Sequence, residues 1–133
     1  MIRLIRTILM VLFLTICIGC ENEKERAATI DFKTGNEYTY QDAVISKGSS
    51  LTVGVIAVRA ENNLKTYNVS VSYDGVATTK TVKNFIISDN ENSLFDKDVN
   101  FTVRNQEGIE KYYFTIVDAD GNIVQKNLTF TVE

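Results

Sequence analysis

A strict alternation of apolar and polar residues runs through most of the chain and constrains its fold more than any other feature. The clearest example is the run from Tyr67 to Asp74, in which every second residue is Tyr or Val and the residues between are Asn, Ser or Asp. Successive side chains of a β-strand point to opposite sides, so this spacing predicts a strand with one buried face. The same pattern recurs in residues 99–104 and 127–132, and no stretch after residue 27 shows a helical stripe.

Further apolar runs and the turns between them complete an all-β pattern. Apolar segments also occupy residues 28–32, 51–58, 76–87 and 112–116. Residues 51–58 are largely apolar on both faces, which predicts a central strand that is covered on both sides. Asp74-Gly75 and Asp120-Gly121-Asn122 are typical hairpin turns. About seven short strands with turns at this spacing predict an immunoglobulin-like antiparallel β-sandwich.

The first twenty residues have the organisation of a signal peptide. Arg3 and Arg6 precede an uncharged apolar run, residues 7–19, which ends at Cys20. Thirteen helical residues span roughly 20 Å, whereas a bilayer core is roughly 30 Å thick, so a permanent transmembrane helix is disfavoured. An uncleaved signal anchor is the alternative interpretation.

The pair Gly19-Cys20 resembles the lipobox of bacterial lipoproteins, which implies a diacylated and N-acylated Cys20 after cleavage. Lipoboxes usually carry Leu three residues before the acceptor, where this chain has Cys17. Cys17 is the alternative acceptor, but it follows the bulky Ile16. We therefore predict a signal peptide at residues 1–19, a lipidated Cys20 with a polar tether at residues 20–27, and one folded domain at residues 28–133.

The residue inventory makes several kinds of chemistry improbable. The chain has no His, and both of its Cys lie within the first twenty residues. Ser-His-Asp and Cys-His nucleophile systems, His-ligated metals and disulfides in the domain are therefore absent by composition. Residues 1–19 hold two of the 14 basic residues and none of the 17 acidic ones, which leaves 12 against 17 and a net charge of −5. With its Lys residues scattered, we expect no nucleic-acid partner and no enzymatic activity.

Three segments resemble the immunoglobulin-like domains of small Bacteroides-type lipoproteins. They are Ala43 to Gly54, Phe101 to Arg104 and Gly108 to Asn122. The charged stretch 21–26 also resembles the export signal of surface-exposed lipoproteins in such bacteria, although any solvated tether is polar. The resemblance implies the same fold and an outer-membrane, surface-exposed location, and it carries no catalytic residue over to this chain.

Immunoglobulin strand order places three loops at one pole of a sandwich. These loops are residues 61–63, 88–93 and 118–122, and all are rich in carboxylate and amide oxygens. Hard cations prefer such ligands, so calcium is the one candidate cofactor. The alternative is that Asn, Asp and Gly simply form the turns. The candidate calcium ligands are Asp89, Glu91, Asp118, Asp120 and Asn122.

The same order places the first strand, and therefore the lipid, near this acidic pole. The opposite pole would then face away from the membrane. There, Tyr38 and Tyr40 beside Gln41 and Asp42 are candidates for a stacking platform that binds a glycan or an extracellular protein. The alternative is that both tyrosines cover a sheet edge.

Asp96 and Asp98 are the remaining candidates for catalysis. At positions i and i+2 of a strand they are about 7 Å apart, near the separation in inverting glycosidases. Charges on an edge strand also prevent aggregation, which is the alternative. We therefore expect a non-enzymatic, lipid-anchored binding or adhesion module, either a monomer or part of a complex. The alternatives are a structural or accessory subunit of an envelope complex, such as glycan import or surface assembly, and more remotely a carboxylate hydrolase.

Overall fold

The computed structural model describes residues 26–133, and every regular element in this part is a β-strand. The strands are β1 (Thr29–Phe32), β2 (Ala43–Ile45), β3 (Ser50–Val58), β4 (Leu64–Tyr73), β5 (Lys80–Ile86), β6 (Leu94–Thr102), β7 (Gly108–Asp118) and β8 (Ile123–Val132). Over these residues, no helix is long and apolar enough to cross a membrane. The predictions for the signal peptide and Cys20 lie outside the described residues.

The strands form two sheets that pack face to face. The small sheet has the order β1-β3-β6, and the large sheet has the order β2-β8-β7-β4-β5. All neighbouring strands are antiparallel except β2 and β8. The predicted immunoglobulin-like sandwich is therefore confirmed. It has eight strands rather than seven, because the chain crosses from the small to the large sheet after β1 and forms the short β2 there.

The residues that alternation placed inward form the core between the sheets. The alternation in residues 67–74, 99–104 and 127–132 and the apolar residues of 112–116 predict inward side chains at seven positions that are all buried, namely Tyr67, Val69, Val71, Phe101, Phe114, Ile116 and Phe130. Aromatic rings make up much of the contact, with the Phe101 and Tyr112 rings stacked at 4.2 Å between centroids. Phe32 meets Phe114 edge to face at 5.2 Å. Both arrangements are ones that aromatic pairs prefer, so they add to the stabilisation from burial.

Two sequence predictions about individual strands are wrong in part. β3 is the central strand of the small sheet, as predicted, but its outer face is only partly covered. Gly54 is buried on that face and Ile56 is half-buried, whereas Val58 is 43% exposed. The strand predicted at residues 76–87 begins only at Lys80, because Asp74-Gly75 and the following residues form a longer connection.

Strand register fixes which loops meet at each pole. Thr29 pairs with Val58, and Val58 pairs with Leu94, so β1 begins where the β3–β4 and β5–β6 loops lie. The β7–β8 turn lies at the same end, because its Ala119 N–H donates to the carbonyl of Asn63 in the β3–β4 loop at 2.8 Å. We call this end the N-terminal pole. The opposite pole holds the β4–β5 and β6–β7 connections, and this arrangement confirms the predicted grouping of loops.

Candidate functional site

Asp118, one of the predicted calcium ligands, is a buried structural residue of the β7–β8 turn. Its carboxylate accepts hydrogen bonds from the backbone N–H groups of Asp120 at 3.0 Å and Asn122 at 2.9 Å, and from the Asn122 side-chain amide at 2.9 Å. Burial raises the pKa of Asp118, but these hydrogen bonds outweigh it and hold the pKa below its usual value. The carboxylate therefore holds the turn closed.

The other predicted calcium ligands lie in the same group of loops without converging. Asp89 and Asp120 are exposed, and the Glu91 carboxylate accepts a hydrogen bond from the Ser88 hydroxyl at 2.6 Å. Within residues 26–133, no group of three or more His, Cys, Asp or Glu could hold a metal ion. The calcium site therefore stays a prediction from the sequence.

The predicted platform around Tyr38 is divided between two sheets. The Tyr38 hydroxyl donates to Asp98 at 3.2 Å on the outer face of the small sheet. Asp42 instead accepts a hydrogen bond from the Thr129 N–H of β8, at 2.8 Å. Tyr40 is 37% exposed, and Gln41 is exposed between them. Two of the four side chains are thus engaged in holding the crossover between the sheets.

Asp96 and Asp98 share one cation. The Lys33 ammonium pairs with Asp96 and lies 2.8 Å from Asp98 Oδ1. Hydrogen bonds to the two carboxylates raise the pKa of Lys33, and the bond from Lys33 lowers the pKa of Asp98. Lys33 reaches them by crossing Gly54, where an added Cβ would lie 2.6 Å from its Cδ. An inverting hydrolase needs one carboxyl group with a raised pKa, whereas Lys33 lowers the pKa of Asp98.

A buried charged network, which the sequence analysis missed, lies at the pole opposite the N-terminal pole. Glu110 is fully buried, and its Oε1 accepts hydrogen bonds from the Arg104 Nε and backbone N–H, each at 2.9 Å. Its Oε2 accepts from the Tyr112 hydroxyl at 2.8 Å. A signal was present in the sequence, because Glu110 occupies the inward position of the alternation that continues through Tyr112 and Phe114.

The network extends to the β4–β5 hairpin. Arg104 Nη2 lies 3.1 Å from Asp74 Oδ2, and its guanidinium carbon lies 4.1 Å from the centre of the Tyr73 ring. Asp74 also accepts a hydrogen bond from the Ile109 N–H at 2.8 Å. Asp74 and Gly75, with φ values of 52° and 77°, form a tight turn at the start of the β4–β5 connection, and the Val76 N–H donates to the Tyr73 carbonyl at 2.9 Å. These contacts tie the β4–β5 and β6–β7 connections together and engage the side chains of Asp74, Arg104 and Glu110 within the fold.

An open groove lies between the edge strands β5 and β6, where the two sheets separate. It has a volume of about 350 Å³ and is lined by Tyr73, Lys80, Thr81, Val82, Lys83, Asn100, Phe101, Thr102 and Tyr112. Its only charged lining residues are Lys80 and Lys83. The alternation of apolar and polar residues describes one strand at a time, so it does not reveal a groove between strands of different sheets.

A second, smaller cleft of about 260 Å³ lies on the outer face of the large sheet near the opposite pole. It is lined by Ser72, Gly75, Val76, Ala77, Ile109, Lys111, Tyr113 and Thr129. Val76 and Ile109 are exposed there. The two clefts therefore differ in character, since one is basic and the other combines apolar groups with Tyr113.

Comparisons with known proteins bear on the fold. No family model and no curated protein matches the chain. A chitin-binding domain from Burkholderia pseudomallei is similar in structure, with a TM-score of 0.53 and 10% identity over 71% of this chain. A family 123 glycoside hydrolase from Clostridium perfringens has a TM-score of 0.50 and 8% identity over 80% of this chain. The chain covers 58% of the first protein and 27% of the second. Because the sequence identities are only 10% and 8%, the structural similarity is evidence for the fold alone, which is the immunoglobulin-like β-sandwich.

Proposed function

We propose that this protein is a non-enzymatic binding module that is held at the outer membrane by a lipid on Cys20 and exposed on the cell surface. The support for the location is the order of Arg3 and Arg6, the apolar run, Gly19-Cys20 and the charged stretch 21–26. The partner is an extracellular protein or a glycan. No chemical step on that partner is part of the proposal.

The position of the first strand is consistent with this arrangement. β1 begins at the N-terminal pole, so a tether at residues 20–27 joins the domain there. Eight extended residues reach at most about 28 Å, so the tether keeps that pole near the membrane. The opposite pole, and the β5–β6 groove that lies toward it, would then face away from the membrane, toward extracellular partners.

The observation that carries the binding function is the location of the carboxylates. Asp98, Glu110 and Asp118 are each hydrogen-bonded within the fold. The groove between β5 and β6 presents lysines, hydroxyls and aromatic rings but no carboxylate among its lining residues. Such a surface can bind a ligand, but it lacks an acid and base pair for hydrolysis.

A binding array tests the proposal. The chain from Glu21 to Glu133 contains every strand and core residue of the described fold, so it can be screened against glycans and extracellular matrix proteins. We expect saturable binding to a restricted set of partners, with the partner recovered chemically unchanged. Release of shortened products from pooled polysaccharides would instead identify a hydrolase.

An accessory subunit of an envelope complex is the second candidate function. The observation that favours it is β6, a nine-residue strand at the edge of the small sheet. Cross-linking in intact cells separates the two functions. A constant neighbour from the same envelope favours the subunit, whereas capture of added extracellular material favours the binding module.

A further inference from the structure

We propose that the groove between β5 and β6 binds an acidic, extended segment of a partner protein, which pairs with β6 as an added strand. We call this site the edge groove. The inference rests on the proposed binding function and names the chemistry of its partner.

The free edge of β6 is the first observation. β6 runs for nine residues and pairs with β3 along its whole length. In the part of the chain that the structure describes, no strand pairs with its other side. Alternate residues of a strand direct their N–H and C=O groups away from the neighbour, so β6 presents a row of backbone donors and acceptors. An extended peptide satisfies such a row by adding a strand.

The side chains of β6 favour a peptide over a sugar. Asn100 Oδ1 accepts a hydrogen bond from the Thr52 hydroxyl at 2.7 Å, and the Thr102 hydroxyl lies 3.1 Å from that of Ser50. These polar groups of the groove wall are therefore already engaged with β3. What β6 offers a ligand is mainly its backbone, which pairs naturally with another backbone.

Three lysines set the charge of the partner. Lys80 and Lys83 line the groove, and Lys97 projects from β6 with its ammonium 5.2 Å from the centre of the Phe85 ring on β5. None of the three forms an ion pair within residues 26–133, whereas the salt bridges in this region engage Lys33, Lys47, Arg104 and Lys126. Unpaired cations beside a free strand edge are complementary to an acidic segment.

The same charges argue against a second copy of the chain as the occupant. Pairing of β6 with another β6 would bring both sets of three lysines together, and like charges across an interface are repulsive. β5 is also the poorer acceptor of a strand. Its ladder with β4 has an irregularity at Val69/Ser70, and bulges are a common protection of an edge.

The acidic residues of the partner should alternate with small polar ones. On the outer face of the small sheet, an added strand would lie beside Asp98, Asn100 and Thr102, where carboxylates are unfavourable and hydroxyls fit. On its other face it would point toward Lys83 and Lys97. A peptide that alternates Glu and Thr therefore places all its charges on the basic side.

The experiment uses a fluorescent peptide of about eight residues, close to the length of β6, that alternates Glu and Thr. Its binding to the full-length protein in detergent is followed by anisotropy. The matched control peptide has the same composition with all Glu residues first, which puts charge on both faces. We expect the control peptide to bind about tenfold more weakly than the alternating peptide. Methylation of every second backbone nitrogen of the alternating peptide should abolish its binding.

Protein variants test the site itself. Lys80→Gln with Lys83→Gln should weaken binding about tenfold, whereas the charge-matched Lys47→Gln with Lys111→Gln should leave it within about twofold. Melting temperatures of both double variants equal to that of the wild type would show that folding is unaffected. Bound peptide should also slow hydrogen exchange at alternate amides of β6.

Three results would overturn the inference. They are no binding at about 1 mM peptide, equal loss in both double variants, or equal binding of the methylated peptide. Polygalacturonate that binds through the same lysines while the peptides do not would assign the groove to an acidic polysaccharide instead.

If the array finds a partner whose binding survives Lys80→Gln with Lys83→Gln, the edge groove is rejected and the binding module stands. If nothing binds in the array or to the edge groove, the binding function itself fails.

Discussion

The carboxylate of Glu110 is fully buried and accepts two hydrogen bonds from Arg104, one from its backbone N–H and one from its Nε, each at 2.9 Å. A buried charge is tolerated only where a partner of opposite charge and further hydrogen bonds replace water. Arg104 supplies that charge, and it also contacts Asp74 at the β4–β5 turn. One residue on the β6–β7 connection therefore links two hairpins at the opposite pole.

Removing Arg104 should strongly destabilise the domain. Arg104→Ala leaves the Glu110 carboxylate buried without its cation, and we expect a loss of about 3 kcal/mol in the free energy of unfolding. This lies at the low end for buried pairs because the Arg104 side chain is 24% exposed. Urea unfolding measures the loss. Lys47→Ala, which breaks only the exposed pair with Glu107, is the control, and an equal effect of both changes would contradict a structural role for Arg104.

The stability of the domain should fall in acid. Burial raises the pKa of Asp118, but hydrogen bonds from Asn122 and Asp120 lower it below the value in the unfolded chain. A group of this kind stabilises the fold above its unfolded pKa, about 3.9, and that contribution is lost as the pH falls through the lower folded pKa. We therefore expect the free energy of unfolding to decline below about pH 4.

Asp118→Asn is the variant for that test. It should be less stable than the wild type at neutral pH and show a shallower decline in acid, because one of the titrating groups has been removed. Thermal unfolding between about pH 2 and 6 provides the measurement. Parallel curves for the two proteins would show that Asp118 does not contribute to the acid dependence.

Gly54 should control the pairing of Lys33 with Asp98. A Cβ at position 54 would overlap the Lys33 side chain, so Gly54→Ala should displace its ammonium from the two carboxylates. The pKa of Asp98, which Lys33 lowers, should then rise toward its ordinary value. NMR titration of the carboxyl carbons measures this shift. Lys33→Met removes the ammonium directly and gives the reference. An Asp98 pKa that rises in Lys33→Met but not in Gly54→Ala would mean that the pairing does not depend on the missing Cβ of Gly54.

Lipid attachment should depend on Cys20. In cells grown with a labelled fatty acid, Cys20→Ser should abolish labelling and release the protein from membranes, because the proposed acyl chains would attach through this residue. Cys17→Ser is the matched control and should leave both properties unchanged. Labelling that persists in Cys20→Ser and disappears in Cys17→Ser would move the acceptor to position 17.

The sequence alone determined seven of the eight strands and the buried side of those that alternate, but it missed β2 and placed the start of β5 too early. The alternation at Tyr67, Val69 and Val71 assigned the core face of β4 correctly, and Asp74-Gly75 marked the tight turn at which β4 ends. These features are local, because a strand displays its two faces every second residue and a two-residue turn needs particular backbone angles. The predicted grouping of the loops at one pole was also correct, but it required the immunoglobulin strand order and not alternation alone.

Tertiary structure decided which side chains meet. Lys33 lies 65 residues from Asp98, and their contact depends on the crossover between sheets and on the missing Cβ of Gly54. Glu110 lies on the inward face of β7, next to the apolar positions, but its partner Arg104 is supplied by the neighbouring connection rather than by the strand itself. The β5–β6 groove exists only because two edge strands of different sheets end side by side. Periodicity reports the orientation of residues along one strand, whereas these features depend on the positions of several strands relative to one another.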